Sequence, residues 1–248
     1  MTTTTRGPAA ARPAMDPLRR TSLAAGVLYL LTFVSMPTLA LYQDTREDAD
    51  FVLGAGSDSG VLLAAFSEVV VALAGVGTAV VLFRVVRRQS ETAAIGFVAS
   101  RVVEGALIIV GVVSVLTLLT LRTDVAGTTG ADQASLVTTG HALSAAYDWT
   151  FLLSQGLMPA FNGLCLGYAL YRSGLVPRIL PTLGLIGAPL LLASDVAMFF
   201  GLYDRMSIAA ALATIPIAVW EFSLGVYLVV RGFRPAAVAA LPPAQDLR

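Results

Sequence analysis

The sequence predicts an all-α polytopic integral membrane protein, a bundle of six transmembrane helices with both termini in the cytoplasm. Three observations carry this. The 248 residues are 56% hydrophobic with a mean hydropathy of +0.79, and only 13% are charged, about half the charge of a soluble domain. Six predominantly apolar runs of 22 residues or more are separated by polar segments, and about 20 such residues cross a bilayer core as a helix. Arginine, the only strongly basic residue present, is concentrated in alternate loops. The formal net charge is zero, so there is no basic excess to meet a nucleic-acid backbone and no nucleic-acid partner is expected.

Taken in order, residues 1–19 hold a Thr run, Pro and Ala and predict a disordered cytoplasmic tail. The spans lie at 21–42, 61–83, 93–121, 149–171, 182–203 and 208–230, within a transmembrane domain of residues 20–233. The first run is longer than the apolar core of a cleaved signal, about 7–15 residues, and predicts a retained span. The third run has 29 residues, more than a span needs, and predicts tilt or protrusion. Between the third and fourth lies the longest loop, 122–148, where Leu136, Leu143 and Tyr147 fall at helical spacing. That pattern predicts a short amphipathic helix on the outer surface. Residues 234–248 are rich in Pro and Ala and predict a second disordered tail.

Orientation follows from arginine. With the N-terminus inside, twelve Arg fall on the inner side and three (Arg46, Arg122, Arg205) on the outer side. This is a positive-inside asymmetry. The outer loops are acidic, with Asp44, Glu47, Asp48, Asp50 and Asp58 in the first and Asp124, Asp132 and Asp148 in the second. Tyr42, Tyr147, Trp149 and Tyr203 are expected at the outer interface, and Tyr171 and Phe233 at the inner one.

Five ionisable residues fall within the spans: Glu68, Arg101, Glu104, Asp195 and Glu221. A charge at the bilayer centre costs at least about 2.5–3.5 kcal/mol on insertion scales, so each needs a partner, a wet cavity or protonation. Counting along each helix puts the four acids near the midplane. Their rows are rich in small residues, which mark faces where helices approach one another. Glu68 aligns with Ala64, Ala72, Gly75 and Ala79; Glu104 follows Gly96 and Ser100; Glu221 aligns with Ala211, Thr214, Ala218 and Gly225; Asp195 aligns with Gly184 and Ala188. Arg101 and Glu104 are three apart and predict a pair on one helix. Glu68, Asp195 and Glu221 are then left without a basic partner. Gln155, Asn162, Ser194, Thr214 and the Trp220 indole are candidate hydrogen-bond partners.

Prolines interrupt four runs at Pro37, Pro159, Pro189 and Pro216, each removing a helical hydrogen bond. The first and fourth runs echo one another. Thr32-Phe33, Ser35 and Met36-Pro37 match Thr150-Phe151, Ser154 and Met158-Pro159, with four extra residues in the second copy. Two halves of three spans would form an inverted repeat. Gly163 and Gly167 form a small-xxx-small pair, expected at a helix contact.

Catalytic signatures are absent. There is no Lys, the single His141 lies in an outer loop, and Cys165 is the only cysteine. No zinc motif, phosphate-binding loop or Ser-His-Asp arrangement can be drawn. The expectation is a protein that is not an enzyme and has neither metal nor cofactor.

Three stretches, AGVLYLLTF at 25–33, GFVASRVVE at 96–104 and LVPRILPTLGLIG at 175–187, resemble bacterial membrane proteins of the family called domain of unknown function 4386. The resemblance covers about residues 20–235. It implies a six-span protein of the bacterial plasma membrane and brings no established activity, ligand or catalytic residue.

Two functional readings follow from the residues. One is a small carrier, or a proton- or cation-responsive bundle, in which Glu68, Asp195 and Glu221, with Asn162 and Gln155, bind a proton, a cation or a small solute. The Arg101–Glu104 pair would then be the gate. The other is a non-catalytic membrane subunit or sensor whose buried acids are structural. In both, the lipid bilayer is the surrounding partner.

Overall fold

A computed structural model describes residues 15–35, 38–42, 51–54, 58–125 and 133–243. All regular structure among them is helical: α1 (Pro17–Leu31), α2 (Thr38–Leu41), α3 (Ser59–Val86), α4 (Glu91–Val125), α5 (Gln133–Phe151), α6 (Met158–Ser173), α7 (Ile179–Phe199), α8 (Ile208–Val230) and α9 (Pro235–Ala240). Helices α3, α4, α7 and α8 are each long and apolar enough to cross a membrane. Large apolar side chains such as Leu63, Phe66, Leu73, Val113, Ile186, Leu212 and Phe222 point outward from them. A bundle with apolar faces both inside and out has the make-up of a membrane protein rather than a water-soluble one.

The other two apolar runs are interrupted. α1 gives way at Thr32 to a tight 3-10 turn, Thr32–Ser35, before α2 begins at Thr38. In the fourth run a π-helical turn, Leu152–Leu157, separates α5 from α6. Each irregular turn directly precedes a Met-Pro pair, Met36-Pro37 or Met158-Pro159. Residues 36 and 37 themselves lie outside the described residues.

Local signals set the helix ends. Asp16 accepts a hydrogen bond from the Leu18 N–H, and Pro17 occupies the first helical position. Ser207 caps α8 through the Ala210 N–H at 3.2 Å. Gly174, at φ +64°, ends α6 in a left-handed conformation that a side chain would disfavour.

The long helices form a ring, each against the next in chain order, closed by α8 against α1. Contact is closest where side chains are missing. A methyl group on Gly26 would lie 2.7 Å from the Gly225 carbonyl, and one on Gly187 would lie 2.8 Å from the Ile217 nitrogen. These two positions clamp α1 and α7 onto α8. Gly163 and Gly167 both face α7, the contact that their spacing predicts.

Two cores fill the ring. One, at the arginine-rich end, joins Tyr29, Leu82, Phe97, Leu166, Trp220 and Leu224. The other packs α3, α4 and α5 together toward the acidic end through Tyr42, Val61, Ile108, Val112 and Tyr147.

Several expectations need correction. Among the described residues of the 122–148 segment, the helix is not a short separate one. α5 runs from Gln133 directly into the fourth apolar run, and Tyr147 packs inward against α4. Tyr42 and Tyr147 do not face outward: both are buried, with ring centroids 5.2 Å apart. Their rings have a core to fill there, and the Tyr147 hydroxyl finds a buried acceptor in Glu68. Trp149 is exposed. Residues 17–19 belong to α1 rather than to an N-terminal tail. At the other end α9 is ordered, Leu241 is buried, and Arg88 donates to the carbonyls of Leu241 and Pro242. The tail segments 1–14 and 244–248, and the acidic residues 43–50, lie outside the described residues.

Candidate functional site

The charged residues of the spans gather in the middle of the ring. Arg101 projects from α4 and is 2% exposed. Its Nη1 lies 3.1 Å from Glu104 Oε2, one turn along the same helix. Its Nη2 donates to Glu221 Oε1 on α8 at 2.6 Å. The guanidinium also sits over the rings of Tyr29 and Phe97, at 5.3 and 5.7 Å. Glu221 therefore has a basic partner, contrary to the reading from sequence. One guanidinium presents two donor edges and serves two carboxylates, and a partner 120 positions away leaves no local spacing to read. With all three groups ionised, the triad carries a net charge of −1.

The same cluster extends to α6. Asn162 donates to Glu104 Oε2 at 2.6 Å and accepts from the Ser100 hydroxyl at 2.5 Å. Asn162 thus serves Glu104 and none of the three acids for which it was a candidate partner. Glu68, on α3, is 1% exposed. Its Oε1 accepts from the Tyr147 hydroxyl at 2.8 Å and from the Gln155 amide at 3.2 Å. Its Oε2 is buried without a partner.

Asp195, on α7, differs from the others. It is 2% exposed, and its Oδ2 has no hydrogen-bond partner. The carboxylate rests against Gly156 of the π-helical turn, where a methyl group would come within 3.1 Å of Oδ1. The neighbouring Ser194 hydroxyl is taken by Tyr203, which donates to it at 2.9 Å. Thr214 turns back to its own helix, donating to the Ala210 carbonyl, and the Trp220 indole N–H is buried without a partner. None of these three supports an acid.

Two cavities open among these residues. The first, of about 240 Å³, is lined by Thr32 and Phe33 from one interrupted helix and by Gln155 and Pro159 from the other. Arg101, Glu104 and Glu221 complete its wall. Phe33 lies in the 3-10 turn of the first run and Gln155 in the π-helical turn of the fourth. Those two residues both line this cavity. The second cavity, of about 440 Å³, contains Asp195 and Gly156 and shares Phe151, Gln155, Leu191, Thr214 and Ala218 with the first. Its rim toward the acidic end carries Arg205, which sits 4.3 Å from the Phe151 ring centroid and pairs with Asp148 at 2.9 Å. The row Ala211, Thr214, Ala218 and Glu221 faces these cavities instead of a neighbouring helix. The small side chains there leave space rather than contact.

Of the seven candidate residues, the structure brings Arg101, Glu104, Glu221 and Asn162 into one cluster. Glu68 and Gln155 form a second, and Asp195 stands apart across the shared cavity wall. Sequence reasoning missed Tyr147, Thr32, Phe33 and Arg205. The helical spacing of Leu136, Leu143 and Tyr147 was a usable signal for Tyr147 had it been read as continuous with the following span.

The fold and site define a class: an all-helical bundle with apolar, membrane-compatible helices and a cluster of ionisable residues at its centre. The chain belongs to the family described as Domain of unknown function (DUF4386), whose model matches residues 24–232. No curated protein and no solved structure matches it.

Proposed function

We propose that this chain is a small carrier, or a proton- or cation-responsive bundle, of the bacterial plasma membrane. In this reading six spans cross the bilayer, with both termini in the cytoplasm. The 149–171 run crosses as α6 with its π-helical entrance, and the 21–42 run crosses as α1 with its 3-10 turn. The observation that carries the reading is the meeting of two interrupted helices at one cavity whose wall is the Arg101–Glu104–Glu221 triad. Interrupted helices at corresponding positions of two halves are the usual makers of ion and substrate sites in carriers. The positions also correspond under the echo of Thr-Phe and Met-Pro between the two runs. In this reading the triad is the gate. Its two carboxylates compete for one guanidinium, so a proton or cation arriving at Glu221 frees Arg101 to Glu104 alone. The protein is then a transporter or sensor and not an enzyme.

Reconstitution into liposomes tests this. An imposed pH or cation gradient should drive movement of a proton, a cation or a small solute, and Glu221→Gln should abolish it while the protein still inserts. Absence of gradient-dependent flux from folded wild-type protein would sink the carrier reading.

A second reading is favoured by one observation: Glu68, on α3, and Glu104, on α4, are each tied to the fourth apolar run by hydrogen bonds, Glu68 through Tyr147 and Gln155 and Glu104 through Asn162, as fasteners would be. On that reading the chain is a non-catalytic membrane subunit or sensor. Carboxylate-to-amide changes would alter stability alone, and a protein partner would co-purify.

A further inference from the structure

We infer that the cavity around Asp195 is a binding site for a small organic cation, an ammonium ion carrying apolar substituents. This rests on the carrier reading above for its biological use, but not for the binding itself. Asp195 is a carboxylate buried to within 2% of its surface, and its Oδ2 meets no donor. A buried carboxylate without a partner is a strongly unfavourable arrangement in a bundle where Arg101 serves two acids. The arrangement makes sense if the partner arrives from outside the chain.

The surroundings select the chemical class. A site for a proton alone needs no room, yet Asp195 borders about 440 Å³, within the range of small-molecule pockets. An inorganic cation such as calcium seeks about six or more oxygens, and no group of three or more His, Cys, Asp or Glu occurs among the described residues. The walls here are mainly apolar, with Phe151, Leu191, Met198, Met206 and Ile215 around the single carboxylate. One charge contact and apolar walls suit an alkylammonium ion, whose charge pairs with the carboxylate and whose substituents cover the apolar walls. An anion is opposed by Asp195, and the one nearby cation, Arg205, is already paired with Asp148. The opening beside Arg205 and Met206 lies toward the acidic end of the bundle, where a cation would be drawn in.

Gly156 is the second element of the site. Its missing side chain lets Asp195 sit against the π-helical turn, which connects the carboxylate to Gln155 and so to the wall of the triad cavity. A ligand at Asp195 would therefore lie beside Gln155, which lines both cavities.

The experiment is isothermal titration calorimetry on the full chain in detergent. The probes are tetraethylammonium and n-butylammonium, with sodium, isobutyrate and leucine as controls. The wild type should bind at least one ammonium probe and neither sodium nor isobutyrate. Asp195→Asn should weaken binding by about thirtyfold or more, the loss typical of removing one member of a desolvated charge pair. Ala211→Phe keeps the carboxylate and fills the cavity, so it should also lose binding even if Asp195→Asn fails to fold. Absence of ammonium binding by folded wild type, undiminished binding by Asp195→Asn, preference for sodium, or binding of leucine alone would each overturn the inference. Flux in liposomes without ammonium binding overturns this site and leaves the carrier reading standing. Ammonium binding without flux does the reverse.

Discussion

Glu68, on α3, and Asp195, on α7, are equally buried, at 1% and 2% exposure. Their surroundings are not alike. Glu68 is held by a phenol and an amide from the fourth run and lies against the packed core of α3, α4 and α5. Asp195 has no such donor and lies at a cavity. Burial alone therefore does not say what a membrane carboxylate is for. The same side-chain chemistry is a fastener where donors converge on it and an open position where they do not. The Arg101 triad combines both states, since Glu104 is bonded to Asn162 while Glu221 faces the cavity.

This contrast can be broken by substitution. The largest effect is expected from Arg101→Leu, which leaves Glu104 and Glu221 buried without a countercharge. A loss of about 3–5 kcal/mol is expected, read as a fall in the melting temperature of detergent-solubilised protein, with partial recovery in Arg101→Lys. Next, Tyr147→Phe removes a donor to a buried carboxylate. It should lower stability by about 1.5–3 kcal/mol, and a smaller change would mean that Glu68 is not held as described. Ser207→Ala deletes the cap of α8 at the rim of the open cavity and should cost about 1 kcal/mol without altering flux. Asp195→Asn should not destabilise the protein at all, because no partner is lost and an unpaired buried carboxylate is relieved. If Asp195→Asn destabilised as much as Tyr147→Phe, the two acids would be equivalent and the contrast would fail.

Much of the architecture was legible. Hydropathy and length place α3, α4, α7 and α8 close to their observed bounds, because burying helical backbone in an apolar medium demands long uncharged runs. The Arg101–Glu104 pair was legible for a similar reason, since residues three apart share a helix face. The small-residue row around Glu68 correctly marked an inward face, and Ala64, Ala72 and Ala79 are all buried. The row around Glu221 also marked an inward face, with Gly225 packed on α1 and Glu221 bonded to Arg101, but Ala211, Thr214 and Ala218 border cavities, because small side chains look the same in sequence whether a neighbouring helix or a cavity lies opposite. The 122–148 segment misled. Its polar composition hid a helix that continues into the next span.

By itself, the sequence determined the class of the protein, the identity of the charged residues and the helices that carry them, because these depend on composition and on short-range periodicity. Which acid meets which donor was decided only in three dimensions. Arg101 reaches Glu221 across 120 positions, Tyr147 reaches Glu68 across 79, and Gly156 lets Asp195 approach a turn with no donor for it. Hydrogen bonds and ion pairs act over about 3 Å, and only the packing of the ring brings side chains so distant in sequence to that separation.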